Sequence, residues 1–137
     1  MQKLRKIDEH TNVITWFEIP VSDLDRAQRF YETILDLKMV RKGDGEDEGI
    51  LFPADPHVVQ ATSGRVTGVL ARSGSNRPSD QGTIVYMNAS PDIQAVLDRV
   101  VPAGGKMVEP KRLFGPVGFI AVILDSEGNR IGLHSES

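Results

Sequence analysis

The sequence predicts an α+β fold built from two copies of one strand–helix–strands module. Two observations predict it directly. Each half opens with a run rich in β-branched and aromatic residues, 14–21 and 83–88, and each run leads into a capped amphipathic helix. A third concerns spacing: the helix openings at Ser22 and Ser90 lie about 68 residues apart. That separation signals duplication rather than a solenoid, whose repeats run ~20–50 residues. The chain of 137 residues is thus expected to hold module one at about 13–72 and module two at about 82–135, sharing one domain.

The first strand, 14–21, ends at Pro20. Ser22-Asp23-Leu24-Asp25 has capping-box spacing, with Ser22 as expected N-cap. Leu24, Ala27, Phe30, Tyr31, Ile34 and Leu35 follow at helical intervals. Short strands are expected at 37–42 and 49–53, around the acidic turn Gly43–Glu48, read as a solvated hairpin tip. Residues 55–65 read as loop and 66–71 as a further strand interrupted by Gly68. The polar segment 72–82 is the natural linker. In the second half, Ser90 is the expected N-cap with Pro91 at the first helical position. Ile93, Val96, Leu97, Val100 and Val101 mark one helix face, and Gly104-Gly105 ends the helix. Strands are expected at 106–109, 117–124 and 130–134, the last two joined by the turn Asp125–Asn129.

Composition narrows the function classes. Hydrophobic residues make up 39% and charged residues 26%, ordinary for a globular protein. The absence of cysteine excludes disulfides, thiolate metal sites and cysteine nucleophiles, and fits a reducing compartment. A net charge of −3 gives no basic footprint for nucleic acid. No apolar run approaches the ~18 residues of a membrane span. The basic N-terminus is not followed by an apolar stretch, so it does not read as a secretory signal, and the expected location is the cytoplasm. Neither a G-x-G-x-x-G loop nor a G-x-S-x-G elbow is present.

Val21-Ser22-Asp23-Leu24-Asp25-Arg26-Ala27 leading into Phe30-Tyr31, together with Asp125-Ser126-Glu127-Gly128-Asn129-Arg130-Ile131 and the helix end Ala103-Gly104-Gly105, carry a resemblance. In this order and spacing the chain resembles the vicinal oxygen chelate superfamily, which includes glyoxalase I, extradiol dioxygenases and bleomycin-resistance proteins. The resemblance runs from about residue 13 to 135. It implies two βαβββ modules whose mixed sheets curl into a cup. It also implies metal-ligand positions on the first and last strand of each module. These fall at Trp16, near Gly68 or Leu70, at Val85 or Thr83, and at Gly132, four residues past Gly128. None offers the carboxylate or imidazole donor that such ions want. The resemblance therefore implies the fold without its metal, and no cofactor is expected.

Strand alternation puts Trp16 and Glu18 on one face and Phe17 and Ile19 on the other. With the apolar pair packed on the helix, Glu18 would look into the cup as a general base or substrate hook. His134 shares parity with Gly132 and is the second catalytic candidate. Glu18 and His134 together would make at most a weak two-ligand metal site. Trp16, Phe52, Val85 and Met87 are the expected apolar lining, beside Gly132; Phe119 reads as core, and His10 and His57 as exposed. The leading expectation is a metal-free binder of a small organic molecule, as bleomycin-resistance members bind drug without a metal of their own. The alternatives are a lyase or isomerase with Glu18 as base, and an interaction module whose cup Trp16 plugs. Members of this size often pair, so a homodimer is expected.

Overall fold

The computed structural model describes residues 6–43 and 48–137. Most of the acidic turn, 44–47, lies outside them. The elements run β1 (Phe17–Pro20), α1 (Leu24–Leu35), β2 (Val40–Lys42), β3 (Gly49–Leu51), β4 (Gly68–Ala71), β5 (Val85–Asn88), α2 (Ile93–Val100), β6 (Lys106–Leu113), a 3-10 turn (Gly115–Val117), β7 (Phe119–Leu124) and β8 (Arg130–Ser135). This is the βαβββ order twice over. The sheets repeat it: β1-β4-β3-β2 and β5-β8-β7-β6. In each, the opening strand pairs parallel with the closing strand, and the other pairs are antiparallel. The mixed α+β architecture stands as the sequence predicts.

The strands differ from their predicted lengths in both directions. The first module's strands are shorter than expected, since residues 14–16 and 37–39 have no ladder partner. In contrast β6 extends to Leu113 rather than stopping at 109. Its Pro110 is tolerated because β6 is an edge strand whose register slips between Met107 and Arg112.

Both helices bury most of the face that the spacing predicts, but Val101, counted on that face, lies just past the end of α2 and is exposed. Leu24, Ala27, Phe30, Tyr31 and Ile34 are buried on α1, and Ile93, Val96, Leu97 and Val100 on α2. Both caps move toward the helix. Asp23, not Ser22, caps α1 by accepting from the Arg26 N–H at 3.0 Å. Asp92, not Ser90, caps α2 by accepting from the Gln94 N–H at 3.0 Å. In both cases the sequence offers two capping residues close together, and the carboxylate nearer the helix reaches the free amides first.

Phe52, predicted to line the cup, is packed in the core and also borders the hollow shared by Phe17 and Met87. Its ring packs 5.4 Å from Phe17 and 5.5 Å from Tyr31, centroid to centroid, and it is 5% exposed. Tyr31 meets Phe30 edge-on at 5.1 Å, so one aromatic string ties β1, β3's exit and α1 together. Phe119 packs against the core as expected, with the Lys111 ammonium over its ring at 4.3 Å.

A polar clamp joins the modules. Asp125, almost fully buried, accepts from the Tyr31 hydroxyl at 2.6 Å, the Asn129 side-chain amide at 3.0 Å and the Glu127 and Asn129 N–H groups at 2.9 Å. Asn129 in turn donates to the Pro20 carbonyl at 2.7 Å. The covered Glu127 carboxylate accepts from the Ser22 and Asp23 N–H groups and forks with the Arg26 guanidinium at 2.7 and 2.9 Å. Burial opposes ionisation of Glu127, yet the hydrogen bonds from Arg26, Asp23, Ser126 and Ser22 outweigh it, and its pKa falls from 4.5 to about 2. Burial, then the Asp125 charge, push the Tyr31 phenol well above its ordinary value of 10. The residues that carry the family resemblance are therefore the mortar between the modules.

Candidate functional site

The two sheets meet along β1 and β5. Phe17 shares one hollow with Tyr86, Met87 and Asn88, and Glu18 shares another with Thr83 and Val85. On β1 the alternation holds: Phe17 and Ile19 pack inward, while Glu18 is exposed on the opposite face. Trp16 precedes the strand and is 49% exposed, so it neither plugs a cavity nor lines one of the principal hollows.

On β5 the outward face is the reverse of the expected one. Met87 is buried in the core and Val85 packs against it, whereas Tyr86 and Asn88 point away from the helices. The count carried over from the first module fails because the second N-cap moves from Ser90 to Asp92 while the first moves only from Ser22 to Asp23, and that net slip of one residue exchanges the faces of a strand. The outward residues of β8, Gly132 and His134, pair in register with Tyr86 and Asn88. A Cβ at position 132 would run into the Tyr86 ring, so only glycine lets the phenol lie across the strand.

This face carries a cavity of about 590 Å3 lined by Tyr86, Met87, Asn88, Ser90, Phe114, Val117, Ile120, His134 and Glu136. Its rim is the tight turn after β6. The Phe114 N–H donates to the Gly118 carbonyl at 2.7 Å, and Gly115 and Gly118 take φ of 57° and 110°. His134 Nε2 lies 2.6 Å from the Val117 carbonyl and pins that turn over the sheet. A carbonyl only accepts, so Nε2 carries a proton, and Nδ1 is the ring nitrogen outside this bond. Phe114 and Val117 are each about half exposed at the mouth.

Of the predicted site residues, His134, Met87 and Gly132 belong to this region, with Gly132 beneath Tyr86 and Met87 presenting its side chain to the core. Glu18 does not join His134: it lines a separate polar crevice of about 230 Å3 beneath the linker. Val85 borders that crevice, Phe52 belongs to the core and Trp16 stands apart. The sequence reading missed Tyr86, Asn88 and Phe114. The glycine-flanked Gly115-Pro116-Val117-Gly118 turn was the available signal for the last.

The metal that the fold implies does not fit these residues. Leu70 is fully buried, Gly68 lies under the Phe17 ring, Gly132 under Tyr86, and an indole offers no ligand at Trp16. Among the described residues no three His, Cys, Asp or Glu side chains gather.

Comparison with known proteins matches this geometry at the level of fold and family. Residues 13–133 match the profile described as Glyoxalase/Bleomycin resistance protein/Dioxygenase superfamily. CFP32 of Mycobacterium tuberculosis (strain CDC 1551 / Oshkosh), whose glyoxylase name is itself provisional, is 27% identical over 121 residues, covering 86% of this chain and 43% of its own. The chain thus spans less than half the length of the curated relatives it matches. A glyoxalase/bleomycin resistance protein from Albidiferax ferrireducens T118 superposes with a TM-score of 0.68 at 16% identity, over 92% of this chain and 100% of that one. The fosfomycin resistance protein FosX of Listeria monocytogenes does so with 0.60 at 13%, over 88% and 87%. With the profile spanning nearly the whole chain and the βαβββ order present twice, this protein belongs to the glyoxalase/bleomycin resistance protein/dioxygenase superfamily.

Proposed function

We propose that this chain binds a small organic molecule on the outward face of its second module, without the family's metal. The observation that carries the reading is the cavity of about 590 Å3. Its size falls in the range of roughly 300–1,000 Å3 typical of small-ligand sites. Its walls follow the same pattern: Tyr86, Phe114, Val117 and Ile120 give apolar area, while Asn88, Ser90, His134 and Glu136 give a few polar hooks. His134 acts by holding the Phe114–Gly118 turn and by presenting Nδ1 to a ligand donor. Because Glu18 and His134 line different hollows, a lyase or isomerase using both as one acid–base pair draws no support from this arrangement.

A thermal-shift screen of small organic compounds tests the reading, followed by amide chemical-shift mapping of the hits. Hits should perturb Asn88, Val117 and His134 and be lost in Val117→Trp, which fills the cavity from an exposed position. Hits that map elsewhere, or that survive this substitution, would overturn it. Homodimerisation belongs to the same proposal. Trp16, Tyr86, Leu113 and Phe114 leave much apolar area exposed, and a second copy would cover it. Sedimentation that stays monomeric across concentration would remove that part.

A further inference from the structure

We propose that the crevice beside Glu18 is a second binding site, specific for a small zwitterion of amino-acid type. The crevice is walled by Glu18 of β1, Asn76, Arg77, Ser79 and Gln81 of the linker, and Arg130 of β8. It therefore brings a carboxylate, Glu18, and a guanidinium, Arg77, to one crevice, while Arg130 meets the linker through its backbone N–H. These opposite charges do not neutralise one another. Among the described residues Glu18 makes no ion pair, and its one side-chain hydrogen bond, from the Asn76 amide to Oε2, is long at 3.4 Å. Its Oε1 has no protein partner. Arg77 makes neither a hydrogen bond nor an ion pair among the described residues. Arg130 has a distant one, 3.6 Å from Glu109.

The linker that forms one wall is anchored. The Ser79 N–H donates to Asn129 Oδ1 at 3.1 Å, and the Arg130 N–H donates to the Ser79 carbonyl at 3.3 Å. Asn129 is itself a member of the buried clamp. One wall of the crevice is thus bonded to the clamp at Ser79, which lowers the ordering a ligand must impose on entry. An ammonium group fits Glu18 Oε1. A carboxylate on the same ligand fits Arg77, with the Ser79, Gln81 and Thr83 side chains as neutral partners. A purely anionic ligand would meet Glu18, and a purely cationic one would meet Arg77. At about 230 Å3 the space suits a molecule of a few heavy atoms, with no room for a large apolar body. The site does not depend on the second-module cavity.

Titration of the 15N-labelled protein with glycine, γ-aminobutyrate, methylammonium and acetate tests the inference. The expected result is millimolar binding of an amino acid that shifts the Asn76, Ser79 and Gln81 amides, with each single-charge probe at least ten-fold weaker. Glu18→Gln and Arg77→Gln should each weaken the amino acid about ten-fold. Arg77→Gln should leave the thermal midpoint unchanged, since Arg77 bonds to nothing in the fold. Acetate binding as well as the amino acids, indifference to Glu18→Gln, or no shift with any probe at tens of millimolar would each overturn the inference. None of these outcomes touches the cavity lined by His134, whose own screen stands or falls separately.

Discussion

The two modules share order, pairing and register, yet matched positions carry unlike chemistry. Glu18 pairs in register with Val69 as Tyr86 does with Gly132, and Ala71 stands where His134 stands. In the first module this yields a charged face on strands of three or four residues. In the second it yields an aromatic ring lying on a glycine, beside strands of six and eight residues and a large cavity. Duplicated topology thus fixes where side chains point and leaves open what they do. What the modules cannot do independently is meet, and there the clamp works beside a core shared by α1 and α2 and the Arg99 guanidinium, which donates to the Ile34 carbonyl at 3.0 Å.

The largest effect should come from breaking the clamp. Asp125→Ala leaves the Tyr31 hydroxyl and the Asn129 backbone N–H buried without an acceptor, and should cost about 3–5 kcal/mol in urea unfolding. If the modules were independently stable, the loss would instead be small and the transition biphasic.

Next comes acid. Glu127 has a pKa of about 2 in the fold against 4.5 as an ordinary carboxylate. A depressed carboxyl contributes stability above its unfolded pKa and loses it as pH falls through the folded one. On the order of 3 kcal/mol should therefore disappear between about pH 5 and pH 2. In Glu127→Gln the stability at neutral pH should be lower and this limb of the pH profile flatter.

Base acts oppositely through Tyr31. Its phenol is held protonated in the fold, so its contribution is present below about pH 10 and declines as pH rises above that. Tyr31→Phe should cost about 1–2 kcal/mol at neutral pH, and denaturation followed from pH 8 to 11 should show a shallower alkaline decline.

Smaller effects sharpen the contrast between the faces. Gly132→Ala must displace the Tyr86 ring, for about 1–2 kcal/mol, and should alter ligand binding in the cavity. Val69→Ala, its counterpart in the first module, should leave that binding unchanged. The smallest change is Asp36→Gly. Asp36 ends α1 at φ 50°, a conformation glycine adopts without penalty, so stability should rise by about 0.5 kcal/mol, measured by thermal unfolding.

What was legible in the sequence follows the same division. The helix faces, the Asp125–Asn129 turn and the module order could be read because they depend on local spacing. The motifs that reveal the family, Asp23–Tyr31 and Asp125–Asn129, are legible because the clamp needs those residues at those distances. The face of β5 was misread because alternation carries no origin of its own: placing Tyr86 rather than Val85 outward requires knowing where α2 starts. The core role of Phe52 was not legible because an aromatic residue just past a strand looks alike whether it borders a hollow or packs on Tyr31. The separation of Glu18 from His134 is set by the junction of β1 and β5, which no local pattern encodes.

The clamp binds the β1–β5 junction at one end only. Asn129 reaches Pro20 there, whereas at the opposite end Phe17 faces Tyr86, Met87 and Asn88 across an apolar hollow of about 400 Å3, and no hydrogen bond among the described residues spans it. Near the other end the modules are tied through the helices, the Arg99 guanidinium donating to the Ile34 carbonyl at 3.0 Å, so the strands between have a fixed end and a more compliant one. Thermal breathing should widen the gap beside Asn88 and leave the Glu18 crevice at fixed width. Hydrogen exchange would register this as a gradient along β5, slow at Val85 and faster toward Asn88.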